Sequence, residues 1–156
     1  MDVDSMYQDI ILDHYRNPQG RGLREPFDAE VHHINPTCGD EITLRVRLGD
    51  EGRTLADLSY EGQGCSISQA SASVLHDLVA GTSVADAMRS EAAFRELMHS
   101  KGQGTPDEEA LGDAVAFQGT AKYPSRVKCA LLAWMALTDA LARAGARADS
   151  PDKETP

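Results

Sequence analysis

Apolar residues recur along this chain at two spacings, and the switch between them divides it into elements. Met6, Ile10, Ile11 and His14 share one helical face in a segment that opens at Ser5-Met6-Tyr7-Gln8, a capping-box pattern, and closes at Asn17-Pro18. Gly20, Gly22 and Pro26 give an irregular passage to a short strand over Glu30–Ile34, which Asn35-Pro36 ends. Ile42, Leu44, Val46 and Leu48 then alternate with Thr43, Arg45 and Arg47, the period of a strand with one wet face. Gly49-Asp50-Glu51-Gly52 turns this strand into a hairpin whose return runs from Leu55 to Tyr60 and into Glu61-Gly62-Gln63-Gly64.

From Ser66 the spacing becomes helical: Ile67, Ala70, Val74 and Leu78 recur until Gly81, which puts Cys65 at a helix N-terminus. Ser83-Val84-Ala85-Asp86 and Ser90-Glu91 read as the starts of two shorter helices, the second carrying Phe94, Leu97 and Met98 inward. Lys101-Gly102-Gln103-Gly104 breaks the pattern. Thr105-Pro106-Asp107-Glu108 opens a short helix toward Leu111, with Thr105 as N-cap and Pro106 at the first helical position. The stretch to Pro124 reads as irregular. A long last helix starts near Ser125, with Val127, Leu131, Trp134, Thr138 and Leu141 on one face and Cys129, Ala133, Ala136 and Ala140 on another. Residues 146–156 are polar, charged and marked by Pro151 and Pro156, so a disordered tail is expected there after a single domain over residues 1–145. The elements predict an α+β fold. A small three-stranded antiparallel sheet comes from the Val31, Ile42 and Leu55 segments, with helices packed on one face and a metal site at its end.

Composition narrows the partners. With 41% hydrophobic residues in 156, one domain can bury a core without staples. Fifteen basic residues against 25 acidic ones give a net charge of −10, so nucleic acid and anionic membrane surfaces would repel the chain on average. No run approaches the ~20 apolar residues of a membrane span. Met1-Asp2-Val3-Asp4 lacks the basic start of an export signal, which makes the cytoplasm the expected location.

Three cysteines carry the candidate chemistry. They stand in Thr37-Cys38-Gly39-Asp40, Gly62-Gln63-Gly64-Cys65 and Lys128-Cys129. An odd count does not close a disulfide framework, and a reducing compartment disfavours one. Three thiolates and the Asp40 carboxylate make a tetrahedral set for a borderline-soft ion such as Zn²⁺, with Asp40 reaching the ion across a Gly turn. Cys65 and Cys129 fall in or beside the first turn of a helix, where free N–H groups favour thiolate, and Arg126 and Lys128 add positive charge beside Cys129. Cys38, on a Gly-containing loop, is the thiol free to leave the metal as a nucleophile. Free cysteines also serve as small buried hydrophobes, and each of these three allows that use. His32 and His33 point to opposite faces of a strand, and the spacing of His14, His76 and His99 does not gather them at the thiols.

Four ordered motifs resemble the IscU/NifU-N family of iron–sulfur cluster assembly proteins. They are the segment from Met6-Tyr7-Gln8-Asp9 through His14-Tyr15-Arg16-Asn17-Pro18, Asn35-Pro36-Thr37-Cys38-Gly39-Asp40, Gly62-Gln63-Gly64-Cys65-Ser66-Ile67-Ser68 and Tyr123-Pro124-Ser125-Arg126-Val127-Lys128-Cys129. The resemblance runs from Met6 to Gly145, and two departures from the IscU pattern make it similar to the SufU branch. IscU-type scaffolds carry a His immediately before the third cysteine, where this chain has Lys128, a cation and a poor ligand while protonated. The extra length over Lys101–Lys122 resembles the SufU insertion.

The SufU resemblance implies that Cys38, Asp40, Cys65 and Cys129 bind Zn²⁺ and that Cys38 receives sulfur. The implied donor is a SufS-type, pyridoxal-phosphate-dependent cysteine desulfurase, with downstream cluster assembly proteins taking the sulfur onward. In the family picture a partner His replaces Cys38 on the zinc and frees it to attack the persulfide. Arg126 is the candidate for balancing the site, since three thiolates and Asp40 around a dication leave a net charge of about −2; a solvated helix-start Arg is its alternative reading. Two other functions use the same thiols: an IscU-like scaffold holding an iron–sulfur cluster, and a structural zinc module. Cysteine protease or phosphatase chemistry is set aside, because no Cys-x₅-Arg spacing occurs and no His is placed as base.

Overall fold

Strand β1 (Ala29–Asn35) pairs antiparallel with β2 (Asp40–Gly49), and β2 with β3 (Thr54–Gln63), in the order β1-β2-β3. The computed structural model describes residues 3–36 and 39–147. Alternation sets the register. Val31 lies opposite Leu44, and Leu44 opposite Tyr60, so the apolar positions of all three strands share one buried face. His32, facing the other way, bonds across the pair to Thr43 Oγ1 at 2.9 Å. The return strand reaches three residues further than its apolar pattern predicts. Its last residue, Gln63, pairs with Glu41, which carries the chain to Cys65 at the end of the sheet.

Helices cover the buried face. α1 (Val3–Arg16) lies on α2 (Ser66–Val79), α2 and α3 (Val84–Met98) meet β3, and α5 (Pro124–Ala144) crosses β1 and β2. Between them come α4 (Glu108–Leu111) and a 3₁₀ segment over Gly112–Lys122. The centre is aromatic. Trp134 of α5 stacks on Phe94 of α3 with centroids 4.1 Å apart, and Phe117 meets Phe94 edge-on at 5.8 Å. The indole N–H of Trp134 donates to Ser71 Oγ at 2.8 Å, and Ser71 donates in turn to the Ala130 carbonyl at 2.6 Å. The α+β expectation, with helices on one face, matches this architecture.

Four local readings are corrected. α1 begins at Val3 rather than Ser5, and it turns Tyr7, Ile11 and His14 inward while Met6 stays 46% exposed. The two short helices expected from Ser83 and Ser90 are one continuous α3. Ser83 is its N-cap, its Oγ accepting the Asp86 N–H at 3.0 Å, whereas Ser90 is buried mid-helix and donates to the Ala110 carbonyl at 2.6 Å. Glu91 beside it is buried too; burial pushes its carboxyl up and Arg95, 3.3 Å away, opposes the shift. The cap of α4 is Asp107, which accepts the Ala110 N–H, and not Thr105. The stretch taken as irregular is the 3₁₀ segment, with Ala114, Phe117 and Thr120 buried at a spacing of three that a 3.6-residue template does not detect.

Because one cap serves all fifteen residues of α3, Ser83→Ala is expected to lower stability by about 1 kcal/mol in urea unfolding. A change below a few tenths would mean that α3 does not depend on that cap. At the other end Gly145, with φ of 76°, closes α5; Ala146 N–H then donates to Leu141 and Arg147 N–H to Gly52. The remainder of the expected tail, residues 148–156, lies outside the described residues. No helix among the described residues is long and apolar enough to cross a membrane.

Candidate metal centre

The end of the sheet is where the polar residues converge. Asp40 opens β2 directly opposite Asn35, the last residue of β1, so both side chains face α5 beyond the final apolar rung. Asp40 is fully buried. Its Oδ1 accepts the Cys65 backbone N–H at 2.9 Å, which fixes the carboxylate and turns Oδ2 to the Cys65 thiol, whose Sγ donates to it at 4.0 Å. Cys65 occupies the N-cap position of α2 and is exposed. Cys129 is buried at the start of the second turn of α5, beside the first turn, because Pro124 starts the helix one residue before Ser125.

Asp40, Cys65 and Cys129 each offer a ligand atom within 4.8 Å of the others. Tetrahedral zinc, with Zn–S near 2.3 Å and Zn–O near 2.0–2.2 Å, sets donor-to-donor edges of roughly 3.5–3.8 Å. The cluster therefore needs only small side-chain adjustments to close on an ion. The donor set has the right softness, and among the described residues no Lys or Arg ion-pairs with Asp40. A bound cation would supply the charge that a buried carboxylate calls for. Cys38, the fourth expected ligand, lies outside the described residues, between Pro36 and Gly39.

Close packing at Gly64 holds the cluster together. A Cβ there would overlap Asp40 Oδ1 and reach 2.7 Å from Ser68 Oγ, so the chain between β3 and α2 passes the carboxylate only as glycine. Two supporting side chains belong to the motifs around the cysteines without being singled out by them. Asn35 reads as a strand stop, yet its Nδ2 donates to Cys129 Sγ at 3.8 Å. Ser68, in the first turn of α2, is buried, with Oγ 3.9 Å from Cys65 Sγ while donating to the Cys65 carbonyl.

The other candidate residues are not among these three donors. Arg126 is exposed, with its guanidinium 5.1 Å from the centroid of the Tyr123 ring, and Lys128 is exposed on α5. His33 bonds Asp139 at 2.8 Å, and this bond, with that from Arg143, holds the Asp139 carboxyl below its usual range. His14 is bonded to Ser73 and Asp113. Among the described residues no histidine joins Asp40, Cys65 and Cys129 in a donor group.

Comparison with known proteins gives a consistent set of relatives. The pattern of the NifU-like N terminal domain matches residues 6–130. The zinc-dependent sulfurtransferase SufU of Bacillus subtilis is 39% identical over 142 residues, covering 90% of this chain and 92% of that protein. The iron–sulfur cluster assembly scaffold protein IscU of Streptococcus pyogenes is 37% identical over 141 residues, covering 90% of this chain and 86% of that one. The crystal structure of FiSufU from Fervidobacterium islandicum superimposes with a TM-score of 0.78 at 31% identity, over 90% of this chain and 99% of that one.

Proposed function

The chain belongs to the NifU-like N terminal domain family, and on that premise we propose that it is a zinc-dependent sulfur acceptor in iron–sulfur cluster assembly. The donor is a SufS-type cysteine desulfurase, and downstream cluster assembly proteins take the sulfur onward. One observation carries the reading: Asp40, Cys65 and Cys129 from three separated segments bring thiol and carboxylate donors within 4.8 Å. With Cys38 they would hold the ion. When bound, zinc keeps thiols deprotonated at neutral pH and contributes no redox chemistry of its own.

The protein's own groups divide the work. Asp40, fixed by the Cys65 N–H, and Cys129, buried beside Asn35, are anchors. Cys38 is the sulfur acceptor. Its thiolate attacks the outer sulfur of the donor's cysteine persulfide; a new S–S bond forms on Cys38 as the donor's S–S bond breaks and its cysteine leaves as thiolate. No electrons are gained or lost overall. Arg126, three residues before Cys129, is the supporting cation for this anionic group.

A scaffold that holds an iron–sulfur cluster is the second reading, favoured by the identity to the Streptococcus IscU. Metal analysis of the purified protein, together with desulfurase turnover, separates the two. Roughly one zinc ion per chain and a raised desulfurase rate are expected. Coloured, iron-loaded protein that leaves the rate unchanged would overturn the sulfur-acceptor reading in favour of the scaffold.

A further inference from the structure

Beside the metal centre lies a groove of about 480 Å³ between the end of β1, α5 and the C-terminal end of α3. Its floor is apolar. Leu131 and Leu132 form it, flanked by Ile34 and Met135, which are 58% and 45% exposed. Ile34 is the most exposed large apolar side chain among the described residues. Its rim is basic: Lys128, His99 and Arg95 line it, and no Asp or Glu does. Arg95 is held by Glu91, but Lys128 and His99 make no ion pair among the described residues. Such a rim is unusual for a chain of net charge −10, where acidic residues outnumber basic ones by 25 to 15.

Position gives the groove its meaning. Asn35 and Pro36 form one wall, and Asn35 donates to Cys129 Sγ; Lys128 on the rim directly precedes Cys129. Anything seated here is separated from Cys129 of the ligand cluster by the Asn35 side chain. We infer that this groove docks a segment of the sulfur-donating desulfurase that presents a carboxylate next to a large apolar side chain. The inference rests on the sulfur-acceptor function proposed above and adds the recognition surface to it. The apolar side chain covers Leu131, Leu132 and Met135, and the carboxylate pairs with Lys128 and His99. A local basic rim overcomes the repulsion that an acidic partner segment would meet from the rest of this surface. Lys128 thus has a use beyond its failure to serve as a ligand.

The test uses the zinc-loaded full chain and a purified SufS-type desulfurase, with binding measured by calorimetry and turnover measured alongside. Lys128→Glu combined with Met135→Asp is expected to weaken binding and raise the KM for this chain by about tenfold or more, with saturating rate and zinc content unchanged. Leu12→Asp, on the exposed face of α1, is the control expected to bind as the parent does. Should Lys128→Glu lose zinc through its neighbour Cys129, Ile34→Asp with Met135→Asp is read instead. Variants that retain zinc and bind with parental affinity overturn the groove, even where the parent stimulates the desulfurase. A parent that binds without stimulating, with binding weakened in the variants, supports the groove and sinks the transfer step. A parent that does not bind the desulfurase at all overturns the occupant named here.

Discussion

Asp40→Ala is expected to lower zinc affinity by about 100-fold while leaving the metal-free protein close to its parent in stability. The first half follows from sharing on the order of 10–16 kcal/mol of zinc binding among four ligands, which makes each worth roughly 3 kcal/mol. The second follows from what the carboxylate does without an ion. It is fully buried and has no Lys or Arg ion pair among the described residues, so its removal relieves a desolvated charge. The same removal loses the bond to the Cys65 N–H at the start of α2, worth about 1 kcal/mol as a cap. These two terms oppose each other. Zinc titration against a chromophoric chelator, with thermal melts in zinc and in chelator, reads both halves. Asp40→Asn keeps an acceptor for the Cys65 N–H but lacks the anionic donor, so it should weaken zinc binding while leaving the cap intact. A variant that binds zinc as tightly as the parent would remove Asp40 from the ligand set.

The candidate donors Asp40, Cys65 and Cys129, which the fold brings together, were legible in the sequence because the residues are rare and their neighbours are distinctive. Three cysteines in 156 residues, two of them in glycine-marked contexts and the first of those followed by Gly39-Asp40, leave little else to build a soft-metal site from. The strand at Ile42–Leu48 was legible for a different reason: one wet face imposes a period of two. What stayed hidden is instructive. Asp40 belongs to β2, but a buried acid breaks the apolar alternation and so reads as loop. Ser90 looks like a helix start because short polar side chains that satisfy backbone groups do so both at caps and inside tertiary contacts, and here the Ala110 carbonyl is the partner. Asn35 and Ser68 support the thiols through the same ambiguity. Their local role as a strand stop or helix-start serine is visible in sequence, and the sulfur each approaches is set by tertiary pairing.

Gly64→Ala is the sharper probe of the centre, because it alters none of the proposed ligands. The added methyl would overlap Asp40 Oδ1 and crowd Ser68 Oγ, and the backbone at φ +154° resists any L side chain. The carboxylate must then turn away or the Gln63–Cys65 link must shift. Either outcome breaks the Asp40–Cys65 N–H bond and separates donors that now lie within 4.8 Å. Zinc affinity is expected to fall at least as far as in Asp40→Asn, with the far-UV circular dichroism retained, since Gly64 lies between β3 and α2 rather than within either. Two other glycines set the scale. Gly119, where an added Cβ meets nothing within 4 Å, should tolerate alanine with parental zinc binding. Gly62, where it would overlap the Glu41 carbonyl across the β2–β3 pair, should lose stability along with metal. Parental zinc affinity in Gly64→Ala would show that Asp40 does not hold the ion from the place its bond to Cys65 gives it. Loss of zinc with the fold intact instead ties metal binding to one glycine, the residue that lets the end of the sheet pass close enough to the start of α2 to bring an acid and a thiol together.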